Sequence, residues 1–327
     1  MRCQFRGIMR QLTVHKNDEN QRLDKYLKKY LKEAPGSFIY KMLRKKNIVL
    51  NGKKADGTEK LSAGDEIKLF FAEDTLQKFT GEVSKEAAVT FPTKPLDILF
   101  EDEDILILNK PVGELSQKAE AKDVSMNEYA LGYLQQSGAI TEESLKVFKP
   151  SVCNRLDRNT SGILIVAKTY QGAREFGEAL QKRTVRKFYK CIVKGEVKKS
   201  ETVDGYLFKD EKTNKVQIFK EKKEGAAEIH TAYRPLKCEK GLTLLEVHLI
   251  TGRTHQIRAH LSSIGHSILG DPKYGDKKLS EQLKVKYQLL HACRLELDGF
   301  TGAFEKYNGK VITAKVPKAF EKIMTED

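Results

Sequence analysis

The sequence is poor in cysteine and contains no tryptophan. Its five cysteines are odd in number, widely separated and without a CxxC pair: Cys3, Cys153, Cys191, Cys238 and Cys293. That spacing excludes a zinc ribbon and a disulfide framework, and it favours the reducing cytoplasm as the compartment. Long apolar runs are also absent, since none approaches the roughly 18 residues that a helix needs to cross a bilayer. Membrane proteins, disulfide-rich secreted proteins and zinc fingers are therefore excluded.

Positive charge is present in excess. The chain of 327 residues carries 59 Lys and Arg against 45 Asp and Glu, which gives a formal net charge of +14. Such a surplus favours a polyanionic partner, although solvated lysines on an ordinary enzyme would give the same count. With 39% hydrophobic residues the chain can bury a core, and its length fits about two domains.

The first predicted unit spans residues 20–72 and begins with two helices. Leu23, Leu27 and Leu31 recur at helical spacing and predict an amphipathic helix. Ser37 is expected to cap a second helix. The basic side chains of that helix are expected to face solvent: Lys41, Arg44, Lys45 and Lys46. Thirteen basic and six acidic residues between positions 21 and 71 place half of the net charge here, either as a nucleic-acid surface or as an ordinary lysine-rich one.

Strand and linker signals surround these helices. Asn51-Gly52 is the strongest short-range hairpin signal, and Leu61–Phe71 predicts a strand pair that closes the unit. The apolar pattern fades over residues 73–95, which are therefore expected to be a linker. Residues 1–19 are expected to be an N-terminal extension, in which Met9 is an alternative translation start.

Residues 96–327 predict one α+β domain. Strands and helices alternate there, with Gly162–Ala167 as a buried strand and Leu242–Ile250 as an alternating one. Helices are expected over Asn127–Gly138 and Thr254–Ile264. The predicted architecture is a mainly antiparallel sheet with helices, preceded by the small α/β unit.

The first segment whose residues could carry catalytic chemistry is Asn154–Gly162, which reads NRLDRNTSG. In it Asp157 lies close to two arginines, on a loop directly before a buried strand. Such an acid is held ionised by neighbouring positive charge and fixed by a rigid scaffold. The alternative is an aspartate that forms a turn or cap toward Thr160 or Ser161, with the arginines simply exposed.

The second segment reads TGRTHQIRAH, and GHSILGDPKYG follows it. A strand ends there and a helix begins at Thr254, so exposed amides beside Arg253 predict an anion pocket. His255 and His260 are five positions apart, which is not the spacing of two zinc ligands on one helical face. Packed polar residues at a turn are the alternative.

Together these segments resemble the RluA family of RNA pseudouridine synthases, over residues 96 to about 318. In the first unit, QRLDKYL, KMLRKKNIVLNGK and GDEIKL resemble the S4 RNA-binding domain. The resemblance implies an α+β synthase domain behind an S4-like unit that grips RNA, most directly large-subunit (23S) ribosomal RNA. It implies the conversion of uridine to pseudouridine through cleavage of the C1′–N1 bond and rejoining through C5, with no cofactor and no metal. The protein is expected to be a monomer.

The resemblance also assigns residues. Asp157 matches the family's essential aspartate, which either attacks C1′ or removes the C2′ proton. Tyr189 matches the tyrosine that stacks on the target base, with an ordinary core tyrosine as the alternative. Arg258 matches the basic partner of the aspartate, and Arg155 matches the arginine that fills the space of the displaced nucleotide. The expected phosphate ligands are Arg253 and Lys273.

Some positions depart from the family pattern, and two other functions remain open. Asn154 stands where many relatives have His, Arg158-Asn159 where they have Lys-Asp, and Asp298-Gly299 where they often have His-Pro. Residues 113–152 are longer than the usual spacing. A non-catalytic RNA-binding or ribosome-assembly protein is the main alternative function. A metal-dependent nuclease lacks support, because the acidic run Glu101–Asp104 predicts a solvated turn.

Overall fold

The computed structural model describes residues 8–80, 90–210 and 215–325. The first unit is an antiparallel sheet in the order β1-β4-β2-β3, and its helices share one apolar core with it. Its elements are β1 Ile8–Thr13, α1 Leu23–Tyr30, α2 Gly36–Arg44, β2 Ile48–Leu50, β3 Lys53–Lys54, β4 Glu66–Phe71 and α3 Glu73–Thr80.

Local signals in this unit are partly confirmed. Asn51 and Gly52 both have positive φ, 49° and 71°, as a two-residue hairpin between β2 and β3 requires. The predicted cap is wrong, because α2 begins at Gly36 and Ser37 lies inside its first turn. The predicted strand pair over residues 61–71 is also wrong. Asp65 instead closes a tight turn by accepting the amide of Ser62, and only β4 follows.

The boundaries of the unit are wider than the sequence predicts. Residues expected in the extension form β1, which pairs with β4 so that Met9 lies opposite Phe70. Part of the expected linker is α3, since Leu76 and Phe79 bury against the same core and the Phe79 ring lies 4.5 Å from that of Phe38. Residues 1–7, and with them Met1, lie outside the described residues, as do residues 81–89 of the linker.

In the second unit, eleven strands of the described residues form one sheet. The main order is β11-β10-β12-β13-β9-β14-β8-β6-β5, with β15 beside β14 and β7 beside β8. The strands are β5 Ile98–Glu101, β6 Ile105–Lys110, β7 Ser151–Val152, β8 Ser161–Ala167, β9 Arg186–Lys194, β10 Glu201–Asp210, β11 Lys215–Phe219, β12 Ala227–Glu239, β13 Leu242–Leu249, β14 Leu290–Glu296 and β15 Val311–Thr313. The helices are α4 Met126–Gln136, α5 Glu142–Val147, α6 Tyr170–Lys182, α7 Gln256–Ser263, α8 Lys277–Gln282 and α9 Lys318–Thr325.

The predicted α+β architecture around a mainly antiparallel sheet is confirmed, with one parallel pair between β14 and β8. Every residue of β8 is buried, because Ile163 and Ile165 enter one apolar core while Leu164 and Val166 enter another. Burial on both faces explains why this strand reads as a continuous apolar run. Gly162 is needed at its start, since φ is 111° and a Cβ would collide with the backbone of β14.

The two units contact each other through α1 and the segment around α5 and α6. Val147 of α5 enters the core of the first unit. The Lys29 ammonium lies 4.3 Å from the centroid of the Tyr170 ring, and Asn20 Nδ2 donates to Gln171 Oε1 at 2.8 Å. Within the described ranges, no helix is long and apolar enough to cross a membrane.

Candidate active site

A cavity of about 990 Å³ opens beside the centre of the large sheet. The loop before β8, the strand β9, the end of β13 and the turn before α7 line it. A smaller cavity of about 60 Å³ shares part of this lining, including Asp157, Tyr189 and Arg258. The two sequence segments singled out by their chemistry therefore meet at one place.

Asp157 lies on a loop that several hydrogen bonds hold in place. The Ser116 hydroxyl donates to the carbonyl of Leu156 and accepts its amide, both at 2.9 Å. Lys110 is buried, and its ammonium donates to the carbonyls of Pro111, Glu114 and Arg158, so it ties the loop after β6 to the loop of Asp157. Because this loop is anchored through its backbone, the Asp157 carboxylate stays available to the cavity.

The alternative role of Asp157, as a turn or cap residue, does not describe its side chain. The turn is made by its carbonyl, which accepts the amide of Thr160 at 3.0 Å. The carboxylate is 28% exposed, and its Oδ2 accepts from Arg258 Nη1 at 2.7 Å. The departure at Asn154 is also explained, because its amide group bonds the backbone of Ile163 and Ile165 and pins the segment to β8.

Arg258 joins two carboxylates. Its side chain is 5% exposed and reaches Asp157 through Nη1, while Nε and Nη2 donate to the two oxygens of Asp271 at 2.7 and 2.8 Å. Burial acts to lower the pKa of Arg258, but the hydrogen bonds and charges of Asp271 and Asp157 raise it above its ordinary value. Burial likewise acts to raise the pKa of Asp271, and Arg258 lowers it overall. The guanidinium is thus a fixed, charged donor toward Asp157.

Asp271 lies in the GDPKYG segment, but no role is predicted for it from the sequence. Its side chain is fully buried and also accepts the amides of Lys273 and Tyr274, at 2.8 and 3.1 Å. The available signal was an aspartate that directly follows the apolar residues Ile268 and Leu269, where burial requires a partner.

Tyr189 on β9 is both a core residue and a cavity residue. It packs in the same core as Cys191 and Val193, as alternation along β9 predicts, and its ring lines the cavity. Burial raises the pKa of Tyr189. Its hydroxyl has no hydrogen-bond partner among the residues that the structure describes, so it is a donor open to a ligand.

His255 lies beside Asp157, and the sequence predicts no role for it beyond excluding it from a zinc pair with His260. It has φ of 54°, and its Nε2 lies 4.0 Å from Asp157 Oδ2, while Nδ1 lies 3.0 Å from the Tyr274 hydroxyl. Burial is the main cause that lowers the pKa of His255. His260 points elsewhere, with Nδ1 2.9 Å from Thr231 Oγ1. In the described part of the chain, no group of three or more His, Cys, Asp or Glu side chains could hold a metal ion.

The predicted helix start at Thr254 is wrong. Part of the predicted anion pocket beside Arg253 is therefore wrong too. The helix α7 begins at Gln256, because His255 adopts the left-handed conformation. The Gln256 side chain accepts the amide of Arg253 at 3.0 Å, so that amide is not available to an anion. The positive charge of Arg253 remains, since its side chain is exposed in the cavity wall.

The predicted cationic residues fall into two groups. Exposed side chains in the cavity wall are Arg155, Arg253 and Lys273. Exposed side chains on α2 and the turn after it, outside this wall, are Lys41, Arg44, Lys45 and Lys46. The structure adds further cations to the wall that the sequence analysis missed: Lys118, Arg158, Arg183, Lys187 and Lys209.

The acidic run Glu101–Asp104 forms a turn in which Glu101 and Glu103 are exposed, but its acids are paired rather than simply solvated. Glu101 pairs with Lys168 at 2.6 Å, Asp102 accepts from the Tyr307 hydroxyl at 2.6 Å, and Asp104 accepts from the Thr169 hydroxyl at 2.9 Å. These acids are neutralised and hydrogen-bonded by residues that lie far away in sequence.

Comparisons with known proteins agree with this geometry. A family profile described as RNA pseudouridylate synthase matches residues 104–263. A ribosomal large subunit pseudouridine synthase C from Vibrio vulnificus is 32% identical over 285 residues, which cover 84% of each chain. An uncharacterized RNA pseudouridine synthase from Aquifex aeolicus is 30% identical over 314 residues, which cover 93% of each chain. In fold, the chain resembles human RNA pseudouridylate synthase domain containing 4, with a TM-score of 0.54, 23% identity, and coverage of 69% of this chain and 90% of that one.

Proposed function

Because the chain belongs to the RluA family of RNA pseudouridine synthases, we propose that it converts defined uridines of large-subunit ribosomal RNA to pseudouridine, with Asp157 as the catalytic carboxylate. One observation carries the assignment of the residue. The Asp157 carboxylate faces a cavity that the Tyr189 ring also lines, and it is held there by the guanidinium of Arg258.

The reaction is an isomerisation, so its atoms balance within the nucleoside. The C1′–N1 bond breaks, the base turns, and C5 bonds to C1′ while the C5 proton leaves and N1 gains a proton. Asp157 Oδ2 is occupied by Arg258, so Oδ1 is the oxygen that either attacks C1′ or removes the C2′ proton. The balance requires no external acceptor, and we infer that no cofactor takes part.

Four side chains prepare the substrate. Tyr189 offers its ring to the target base, and Arg155 occupies the space that the base leaves. Extruding a base costs a few kcal/mol, which contacts inside the cleft must offset. Arg253 and Lys273 are placed to hold the adjoining phosphates, as their exposure in the cavity wall supports.

The first unit acts as an S4-like RNA grip in this proposal. Four exposed cations lie on and after α2, and they make the unit much more basic than the rest of the chain. They are Lys41, Arg44, Lys45 and Lys46. We infer that the protein works as a monomer in the cytoplasm, which sedimentation and cell fractionation test.

The test of the catalytic assignment is Asp157→Asn. We expect RNA affinity and folding to be retained, while tritium release from RNA labelled at uridine C5 is lost. Asp298→Asn is the matched control, since that aspartate lies outside the cavity wall and, among the described residues, accepts only the amide of Gly299. Normal tritium release by Asp157→Asn would refute the role of Asp157.

The substrate is tested separately by mapping pseudouridine in ribosomal RNA with and without the gene. Loss of one or a few sites in the large-subunit RNA supports the proposal. An unchanged map would favour the alternative, a non-catalytic RNA-binding or assembly protein.

A further inference from the structure

Lys187 is a half-buried cation in the cavity wall that no acid neutralises in the part of the chain that the structure describes. It lies on β9 two positions before Tyr189, so the two side chains share a face of the strand, about 6.6 Å apart along it. Its ammonium lies against the turn after β13, where a Cβ on Gly252 would be 3.6 Å from Nζ. Within the described residues it makes no hydrogen bond and no ion pair.

A second cation increases the imbalance. Arg183 ends α6 in the left-handed conformation, with φ of 65°, and its side chain is also exposed in the cavity wall. Burial, and then the charge of Arg183, lower the pKa of Lys187 below its ordinary value. Desolvation and like-charge repulsion therefore both act against this arrangement in the free protein.

Two other cations on β9 are neutralised by acids. Arg186, the residue before Lys187, pairs with Glu296 at 2.6 Å. Lys194 at the end of the same strand pairs with Asp276 at 2.7 Å. Unlike these two cations, Lys187 has no acid partner among the described residues, and this points to a negative charge that arrives with a ligand.

We propose that Lys187 and Arg183 form a subsite for a phosphodiester of the RNA strand, next to the nucleotide that enters at Tyr189. A phosphate suits this place because an ammonium is a point charge that donates from any direction, and because both groups need an anion rather than a base edge. This inference rests on the proposed RNA substrate. It adds a phosphate-binding subsite to the proposed RNA site, at residues outside the motifs NRLDRNTSG and TGRTHQIRAH.

The test is Lys187→Met, which keeps an apolar stem of similar length and removes the charge. We expect the variant to be at least as stable to heat as the wild type, because the substitution removes an uncompensated charge. We expect RNA to bind more weakly, with the slope of log affinity against log salt reduced by about one phosphate contact. KM should rise, and kcat should change little.

Arg186→Met is the matched control on the same strand. It removes a paired charge outside the cavity wall, so the salt slope and KM should stay at their wild-type values. Arg183→Met should reduce the salt slope as Lys187→Met does, and a smaller effect of the second change in the double variant would show that both contact the same phosphate.

Two outcomes overturn the subsite. One is a Lys187→Met variant that loses stability while its salt slope is unchanged, because a structural lysine behaves in that way. The other is an equal loss of affinity in Arg186→Met. Neither outcome touches the proposed function, which fails if the wild-type protein releases no tritium from labelled RNA or if the pseudouridine map is unchanged without the gene.

Discussion

The pairing of Arg258 with Asp271 leads to a prediction with a calculable size. Asp271→Asn keeps the shape of the side chain and can still accept the amides of Lys273 and Tyr274, but it leaves the buried guanidinium with Asp157 as its one carboxylate partner among the described residues. Removing one partner of a buried ion pair costs about 3–5 kcal/mol. We take the lower figure, about 3 kcal/mol, because Asn retains part of the hydrogen bonding.

That cost is a large fraction of the total free energy of unfolding of a domain. A domain of about 150–250 residues loses roughly 2–4 °C of Tm per kcal/mol, so Asp271→Asn should lower Tm by about 6–12 °C. Calorimetry or thermal circular dichroism measures this shift. Because the guanidinium loses the anchor that aims it at Asp157, tritium release should also fall by about 100-fold.

Asp276→Asn is the control for this prediction. Asp276 caps α8 by accepting the amide of Leu279, and Asn is an equally good cap. Its ion pair with Lys194 is solvent-exposed and contributes little, so Tm should change little. If Asp271→Asn were as stable and as active as Asp276→Asn, the reasoning on the buried pair would be refuted.

The same pair predicts an acid dependence. The pKa of Asp271 is lower in the folded protein than in the unfolded chain. Its stabilisation is therefore present above the unfolded pKa of about 3.9 and is lost as pH falls through the folded pKa. Below about pH 4 the wild type should lose Tm more steeply than Asp271→Asn, and parallel curves would contradict this.

Three further predictions concern separate places. Gly162→Ala should prevent folding or greatly lower Tm, because its Cβ meets the backbone of Ala292; a near-wild-type Tm would contradict the close packing of β14. Burial lowers the pKa of His291 to about 4, so stability should fall from about pH 6.5 toward pH 4 as the unfolded chain takes up the proton, and His291→Asn should flatten that fall in Tm measurements. Charge reversal at Lys45 and Lys46 should weaken RNA binding without changing which uridine is modified; pseudouridine mapping that shows a redirected site would mean that the first unit also selects.

The sequence could predict what depends on neighbours in the chain. The hairpin at Asn51-Gly52, the buried strand β8 and the alternation that puts Tyr189 with Cys191 all follow from local periodicity and turn chemistry. Asp157 and Arg258 are 101 residues apart in sequence, and periodicity does not predict contacts over such a distance. The resemblance to a family predicted that these two residues pair.

The features that the sequence could not predict depend on contacts between residues that are distant in the chain. The segment Glu73–Thr80 looks polar, and its helix is stabilised by Leu76 and Phe79 against a core that only the fold defines. The acidic run after β5 reads as solvated because Lys168 and Lys306, which neutralise it, come much later in the chain. Local sequence patterns indicate which side chains are exposed, but they do not indicate which charged side chains will form ion pairs in the fold.

The place of β14 in the large sheet has a consequence for the timing of synthesis. This strand lies between β9 and β8, so it joins the half of the sheet that carries Asp157 to the half that carries Tyr189. A nascent chain can fold each half as it emerges, but residues 290–296 must leave the ribosome before the halves close on each other. Catalytic competence is therefore acquired late in translation.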